Sequence, residues 1–328
     1  MEEEKTKEVE IKPKKRNALS FLLDAIKGVT LGISAAVPGL SAGTIAVAEK
    51  CYDTIVDSIS DLRKQFKKNF FILLPYVLGL LIGAVLALVG IQKGYEAAPF
   101  TLTGLFSGLV VGSLPVALSE LRKGNTPKEK KNHILPLLIC FLIASGLGIL
   151  TALMASSGNG FSLEKALNER AFYMYPLFLL AGAIAAGACV VPGISGSMSL
   201  MIMGLYYPIL NTYTGSNAIW HSHDTKSIVS GLILFALLAI GAVLGIIFSS
   251  KIMKSLLSKH RVSTFYGILG LILGSVISMF INSSIFPKYL NNQIPVWDYV
   301  VGSILFLLSA LAMFFFFSKQ NKKKASDL

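Results

Sequence analysis

Hydroxyl side chains cluster at two places in this chain, each just after a proline–glycine pair. Residues 36–44 read AVPGLSAGT and residues 190–198 read VVPGISGSM. Ser41 and Thr44 follow Pro38 and Gly39; Ser195, Ser197 and Ser199 follow Pro192 and Gly193. Proline removes a backbone donor and glycine disfavours helix, so each pair ends one helix and lets another begin at the serine. The first amides of a new helix lack intrahelical partners, and with the helix dipole they favour an anion. The hydroxyls add neutral donors, while Gly43 and Gly196 let a ligand approach the backbone. The chemistry expected is anion binding.

These residues interrupt apolar runs. The chain has 328 residues, 53% hydrophobic and 15% charged, with nearly uncharged stretches at 70–91, 133–155, 171–198, 228–248 and 299–317. Such stretches are long enough to cross roughly 30 Å of hydrocarbon as helices. The net charge of +12 sits in short clusters between them, a pattern that reports membrane orientation and argues against a nucleic-acid partner. The N-terminus lacks the order of a cleavable signal peptide, so the first apolar segment is expected to stay. Three cysteines supply neither a disulfide framework nor paired zinc spacing.

The chain also repeats itself. GVTLGISAAVPGLSAG at 28–43 matches GAIAAGACVVPGISGS at 182–197, and Tyr52 then matches Tyr206. IGAVL recurs at 82–86 and 240–244, and GLVVGS at 108–113 matches GLILGS at 270–275. Each half holds one broken segment (18–60 and 171–212) and three apolar ones. If each broken segment enters and leaves on the same side with short arms, 23 of the 30 Lys and Arg fall on one side. The positive-inside bias selects this arrangement over full crossings. Three crossings per half then give the halves opposite orientation. The fold class expected is an all-α polytopic membrane protein with an inverted-topology repeat, each half a re-entrant helical hairpin plus three transmembrane helices. The expected organisation is a cytoplasmic disordered tail (1–17), a first membrane repeat (18–155), an external linker (156–170), a second repeat (171–318) and a basic cytoplasmic tail (319–328). A turn inside the bilayer is tolerated only within protein or beside a watery cavity, so the two tips are expected to meet near the midplane.

The blocks GISAAVPGLSAGTIA and CVVPGISGSMSLMIMGLY resemble the signature of the PopT-type polyprenyl-phosphate transporters, long grouped only as a membrane domain of unknown function. The resemblance covers about residues 18–318. Members carry a Gly-Gly pair after the first motif serine, where this chain has Ala42 and Gly43. The resemblance implies translocation of undecaprenyl phosphate between leaflets of the bacterial cell membrane. From the residues alone a secondary transporter of a small anion is the alternative.

Other charged residues bear on that site. Lys27 and Arg170 precede the apolar arms of their hairpins and could draw a phosphate or anchor at the interface. Asp24 could pair with Lys27 along one helix face. Glu49 is the best carboxylate for proton coupling if it turns inward, because intramembrane ionisable groups are costly. Tyr52, Tyr206 and Tyr207 read as interface belts, and Gly104, Gly108, Gly112, Gly270 and Gly274 as close helix packing. His221 and His223 form too thin a set for a metal. The membrane segments lack the histidines and clustered carboxylates of a phosphatase, so no catalytic residue, cofactor or metal is expected. The expected partners are the polyprenyl-phosphate lipid and the bilayer, with a homo-oligomer left open.

Overall fold

A long apolar run in lipid satisfies its backbone groups by folding as a helix, and helices are what the computed structural model of the protein contains. It describes residues 18–40, 42, 45–46, 49–61, 64–123, 134–154, 156, 172–189, 194–214, 218–221, 225–281 and 285–326. The expectations for the 1–17 tail and for nearly all of the 156–170 linker lie outside those residues. Among the described residues every regular element is helical. In chain order these are α1 (Ala18–Ala36), α2 (Tyr52–Ser60), α3 (Phe66–Ala97), α4 (Pro99–Gly112), α5 (Leu114–Lys123), α6 (Ile134–Met154) and α7 (Met174–Ala188). There follow α8 (Gly196–Ile202), α9 (Tyr206–Thr214), a 3-10 turn (Ile219–His221), α10 (Thr225–Lys259), α11 (Arg261–Phe280), α12 (Phe286–Leu290) and α13 (Val296–Ser326).

Six helices, α1, α3, α6, α10, α11 and α13, are long and apolar enough to cross a membrane. Two details differ from the reading of the sequence. α1 runs 19 residues, longer than the short hairpin arm expected, because nothing between Ala18 and Val37 breaks its backbone ladder. The third apolar segment is two helices rather than one. Ser113 closes α4 by donating to the Val110 carbonyl at 2.7 Å, and Pro115, having no amide to continue the ladder, sits in the first turn of α5.

Four helix pairs carry most of the packing: α1 with α3, α7 with α10, α4 with α13, and α6 with α11. In the repeat register α1 corresponds to α7, α3 to α10, α4 to α11 and α6 to α13. Exchanging the two blocks therefore returns the same four pairs. Glycine lets each pair close. A Cβ on Gly83 would run into the Val29 backbone, and one on its counterpart Gly241 into that of Leu179. Gly108 abuts Phe306 in the same way, and its counterpart Gly270 abuts Leu137. In lipid, where apolar contact between helices gains little over contact with acyl chains, such backbone-to-backbone approach drives association.

The outward faces are apolar, with Leu86 61% and Phe248 67% exposed, as suits a hydrocarbon surround. The buried core lies among α4, α8, α9 and α11, where Phe106, Met198, Leu210 and Ile272 are enclosed. One buried charge braces it. The Asp298 carboxylate in the first turn of α13 accepts the amides of Phe100 at 3.1 Å and Thr101 at 2.7 Å. Thr101 returns a hydroxyl bond to the Asp298 carbonyl at 3.2 Å. Two orphan donors of α4 are thus satisfied by its partner helix.

Candidate functional site

The first tip is built where α1 stops. The Val37 amide still donates to Ile33 at 3.0 Å, but Pro38 has no donor and Gly39 turns to φ +86°, a conformation that costs an L side chain dearly. Space enforces the same choice, because a Cβ on Gly39 would meet Val110 of α4. The chain end of α1 is then capped from the other half of the protein: Tyr206, at the start of α9, donates its hydroxyl to the Ala36 carbonyl at 3.0 Å. Tyr206 and Tyr207 are 5% exposed, which corrects their reading as interface belts. Tyr52, the repeat counterpart of Tyr206, is exposed instead.

The second tip meets the first. Ser195 has extended backbone just ahead of α8, and its hydroxyl oxygen accepts the Met198 amide at 3.3 Å as a helix cap. The same oxygen accepts the Gly39 amide at 3.3 Å, joining residues 156 positions apart. It also lies 3.2 Å from the Ser197 hydroxyl. A hydroxyl has two lone pairs and one hydrogen. With both lone pairs taken by amides, Ser195 is the donor in that last bond, and the Ser197 hydrogen is left to point elsewhere. Ser199 donates to the Ser195 carbonyl at 3.3 Å. Behind these serines, α11 supplies Ser275, whose hydroxyl lies 3.4 Å from the Met198 sulfur.

Gly196 does not serve as expected. A Cβ there would meet the Ala185 carbonyl and the Cys189 sulfur, so its missing side chain admits the end of α7, not a ligand. Ser41, Gly43, Thr44, Pro192, Gly193 and Arg170 lie outside the described residues.

Charged residues of the first broken segment gather nearby. Asp24 accepts the Tyr76 hydroxyl at 2.6 Å, an interhelical bond to α3. Glu49 turns inward: its Oε1 is 2.6 Å from the Thr30 hydroxyl, and its Oε2 is buried with no hydrogen-bond partner among the described residues. The Thr30 hydroxyl is also 2.8 Å from the Lys27 carbonyl. Lys27 is half-buried, and Lys27, Glu49 and Asp24 all lie within electrostatic reach of Cys51.

A further cluster ties the second broken segment to α3, and sequence reasoning missed it. Tyr207 stacks on Tyr95 with ring centroids 3.7 Å apart, and the Lys288 ammonium sits 4.5 Å from the same Tyr95 ring. Burial holds the Lys288 ammonium below its ordinary value. Gln92 donates to Asn211 at 3.0 Å and to Glu96 at 2.8 Å. No local motif marks these residues; they come together only where α9 and α12 meet α3.

Comparison with known proteins points to one family. A family model described as undecaprenyl phosphate translocase-like matches residues 31–294. A polyprenyl-phosphate transporter of Staphylococcus aureus is 28% identical over 261 residues, 79% of this chain and 86% of the relative. A polyprenyl-phosphate transporter of Vibrio cholerae is 26% identical over 272 residues, 79% of this chain and 77% of the relative. Both relatives are named as transporters, not enzymes. No solved structure matches.

Proposed function

Because the chain belongs to the undecaprenyl phosphate translocase-like family, we propose that it moves undecaprenyl phosphate between the leaflets of a bacterial cell membrane, recycling the carrier lipid for cell-wall synthesis. The observation that carries this reading is the bond between the Gly39 amide and the Ser195 hydroxyl, which joins the first proline–glycine interruption to the helix start that follows the second.

The headgroup is held there by neutral donors. A phosphate oxygen is a stronger acceptor than a hydroxyl, so it takes the Gly39 amide from Ser195. Ser195 then turns its one hydrogen from Ser197 to the phosphate, alongside Ser197 and the hydroxyls of Ser41 and Thr44, with Gly43 giving close backbone approach. Lys27 and Arg170 supply a cation near the open end of each hairpin. The two broken segments are re-entrant hairpins of opposite orientation, and both termini are cytoplasmic. The self-exchanging set of helix pairs and the sidedness of the basic clusters support that inverted arrangement.

Glu49 couples the movement to a proton. The single hydrogen of Thr30 has two acceptors within reach, the Lys27 carbonyl and Glu49 Oε1. A proton on Glu49 resolves the conflict, since Glu49 then donates to Thr30 and Thr30 to Lys27. The test is reconstitution in liposomes carrying a headgroup-labelled undecaprenyl phosphate. Protein should speed the exchange of headgroups between the inner and outer surfaces. Uptake of soluble phosphate with no change in lipid headgroup exposure would instead identify a small-anion carrier.

A further inference from the structure

α6, α7 and α8, with Leu271 of α11 behind them, enclose a cavity of about 610 Å³. Its walls are Ile143 and Leu147 on α6, Leu177 and Ile184 on α7, and Ile202 and Met203 at the end of α8. The hydroxyls that touch it are committed elsewhere: Thr151 donates to the Gly148 carbonyl at 2.9 Å and Ser199 to the Ser195 carbonyl at 3.3 Å. It is therefore a site for hydrocarbon, not for a polar solute.

Two relationships say which hydrocarbon. Ile194, Met198 and Ser199 line the cavity and flank Ser195 and Ser197, so one end of the cavity adjoins the paired tips. The other boundary is the lipid-facing surface. Ile143 is 53% and Ile184 50% exposed on facing helices, and among the described residues α6 and α7 are not one of the packed pairs. The cavity thus runs from the hydroxyl cluster sideways toward the bilayer.

We propose that this cavity holds the isoprene units nearest the phosphate of a polyprenyl phosphate, an assignment that rests on the phosphate reading of the tips. Its size is that of a site for a small molecule, roughly 300–1,000 Å³, so it takes the first units and leaves the rest of the chain in the bilayer. Met198 and Met203 give the wall the compliance a methyl-branched chain needs. The protein would therefore recognise the phosphate and the near end of its chain, and be indifferent to total chain length.

The test is competition against labelled undecaprenyl phosphate on the purified full-length protein in nanodiscs. Farnesyl phosphate should compete nearly as well as the unlabelled long-chain lipid, and inorganic phosphate at least about tenfold less well, since it buries no apolar surface. Leu147→Trp and, independently, Ile184→Trp fill the cavity from opposite walls at half-exposed positions that tolerate bulk. In protein of unchanged thermal stability, each should weaken farnesyl phosphate about tenfold or more and leave inorganic phosphate as it was. Parent-like affinity for farnesyl phosphate in both filled variants would overturn the cavity assignment. So would equal competition by a phospholipid, which would make it a general acyl-chain groove. Ser197→Ala separates the two readings: if it alters neither phosphate ligand while the Trp variants still lose farnesyl phosphate, the tip reading falls and the cavity assignment stands.

Discussion

The amide of Gly39 and the hydroxyl of Ser195 are 3.3 Å apart, and this contact joins two copies of one motif across the repeat. Neither residue is charged, so the pair can release each other for a better acceptor without leaving an ion unpaired in lipid.

The serines can be separated by a double-mutant cycle. Ser195→Ala removes a helix cap, costing about 1 kcal/mol of stability, and frees the Gly39 amide. Both Ser195→Ala and Ser197→Ala should weaken lipid-phosphate binding by one to two orders of magnitude, as loss of a charge-assisted bond of roughly 1.5–3 kcal/mol requires. Because the two hydroxyls are bonded to each other, their effects should be non-additive. Simple additivity in ligand titrations would mean they do not share one ligand.

Glu49 gives a pH test. Gln at 49 can donate to Thr30 permanently, as a protonated Glu does. Glu49→Gln should therefore keep lipid-phosphate binding while flattening the dependence of liposome transport on pH. A pH profile identical to that of the parent would remove Glu49 from coupling.

The glycine-locked pairs predict a sharp positional contrast. Gly83→Leu or Gly241→Leu should force α1 from α3 or α7 from α10, with a cost of about 1–3 kcal/mol or more. Gly90→Leu on the same α3 should be tolerated, since nothing lies within 4 Å of a Cβ there. Thermal unfolding in detergent measures both, and equal losses at Gly83 and Gly90 would contradict the packing described.

Asp298→Ala should leave the Phe100 and Thr101 amides of α4 buried without an acceptor, destabilising the fold by roughly 1–3 kcal/mol per donor. Asp298→Asn, which retains one acceptor oxygen, should lose less. Binding of lipid phosphate by the folded fraction should be unaffected.

Orientation can be read chemically. In a protein freed of Cys51, Cys140 and Cys189, single cysteines at Gln65 and Asn125 should resist an impermeant thiol reagent applied outside intact cells, and those at Gly158 and at Trp220, which is 52% exposed, should react. Labelling at 65 from outside would send the first broken segment across the membrane.

The helical class was legible in the apolar runs, and the duplicated Val-Pro-Gly marked the two segments whose Gly39 and Ser195 meet. Helix ends were less so: a hydropathy run passes through Ser113 without a mark, although Pro115 was a readable sign of the break. Gly196 misled because a glycine beside a serine looks alike whether a ligand or the chain's own α7 approaches it. Asp298 and Lys288 were invisible as site-shaping residues, since their partners, Thr101 and Tyr95, are distant in sequence and carry no pattern of their own. Glu49 was singled out by type, but only the Thr30 contact shows which way it turns.

The glycine-mediated pairs also bear on mechanics. A backbone seated in the groove of its neighbour cannot slide, because any shift drives a carbonyl into a Cα; each of the four pairs is a strut. Two struts, α1–α3 and α7–α10, each carry the first arm of one broken segment, while α4–α13 and α6–α11 bind one half to the other. Play must then reside in the seams between struts, and the seam at α8 is lined with Met198, Met201 and Met279, long unbranched side chains that re-pack at small cost. Any relative movement of the two halves would fall at such methionine-lined seams rather than within a glycine-locked pair.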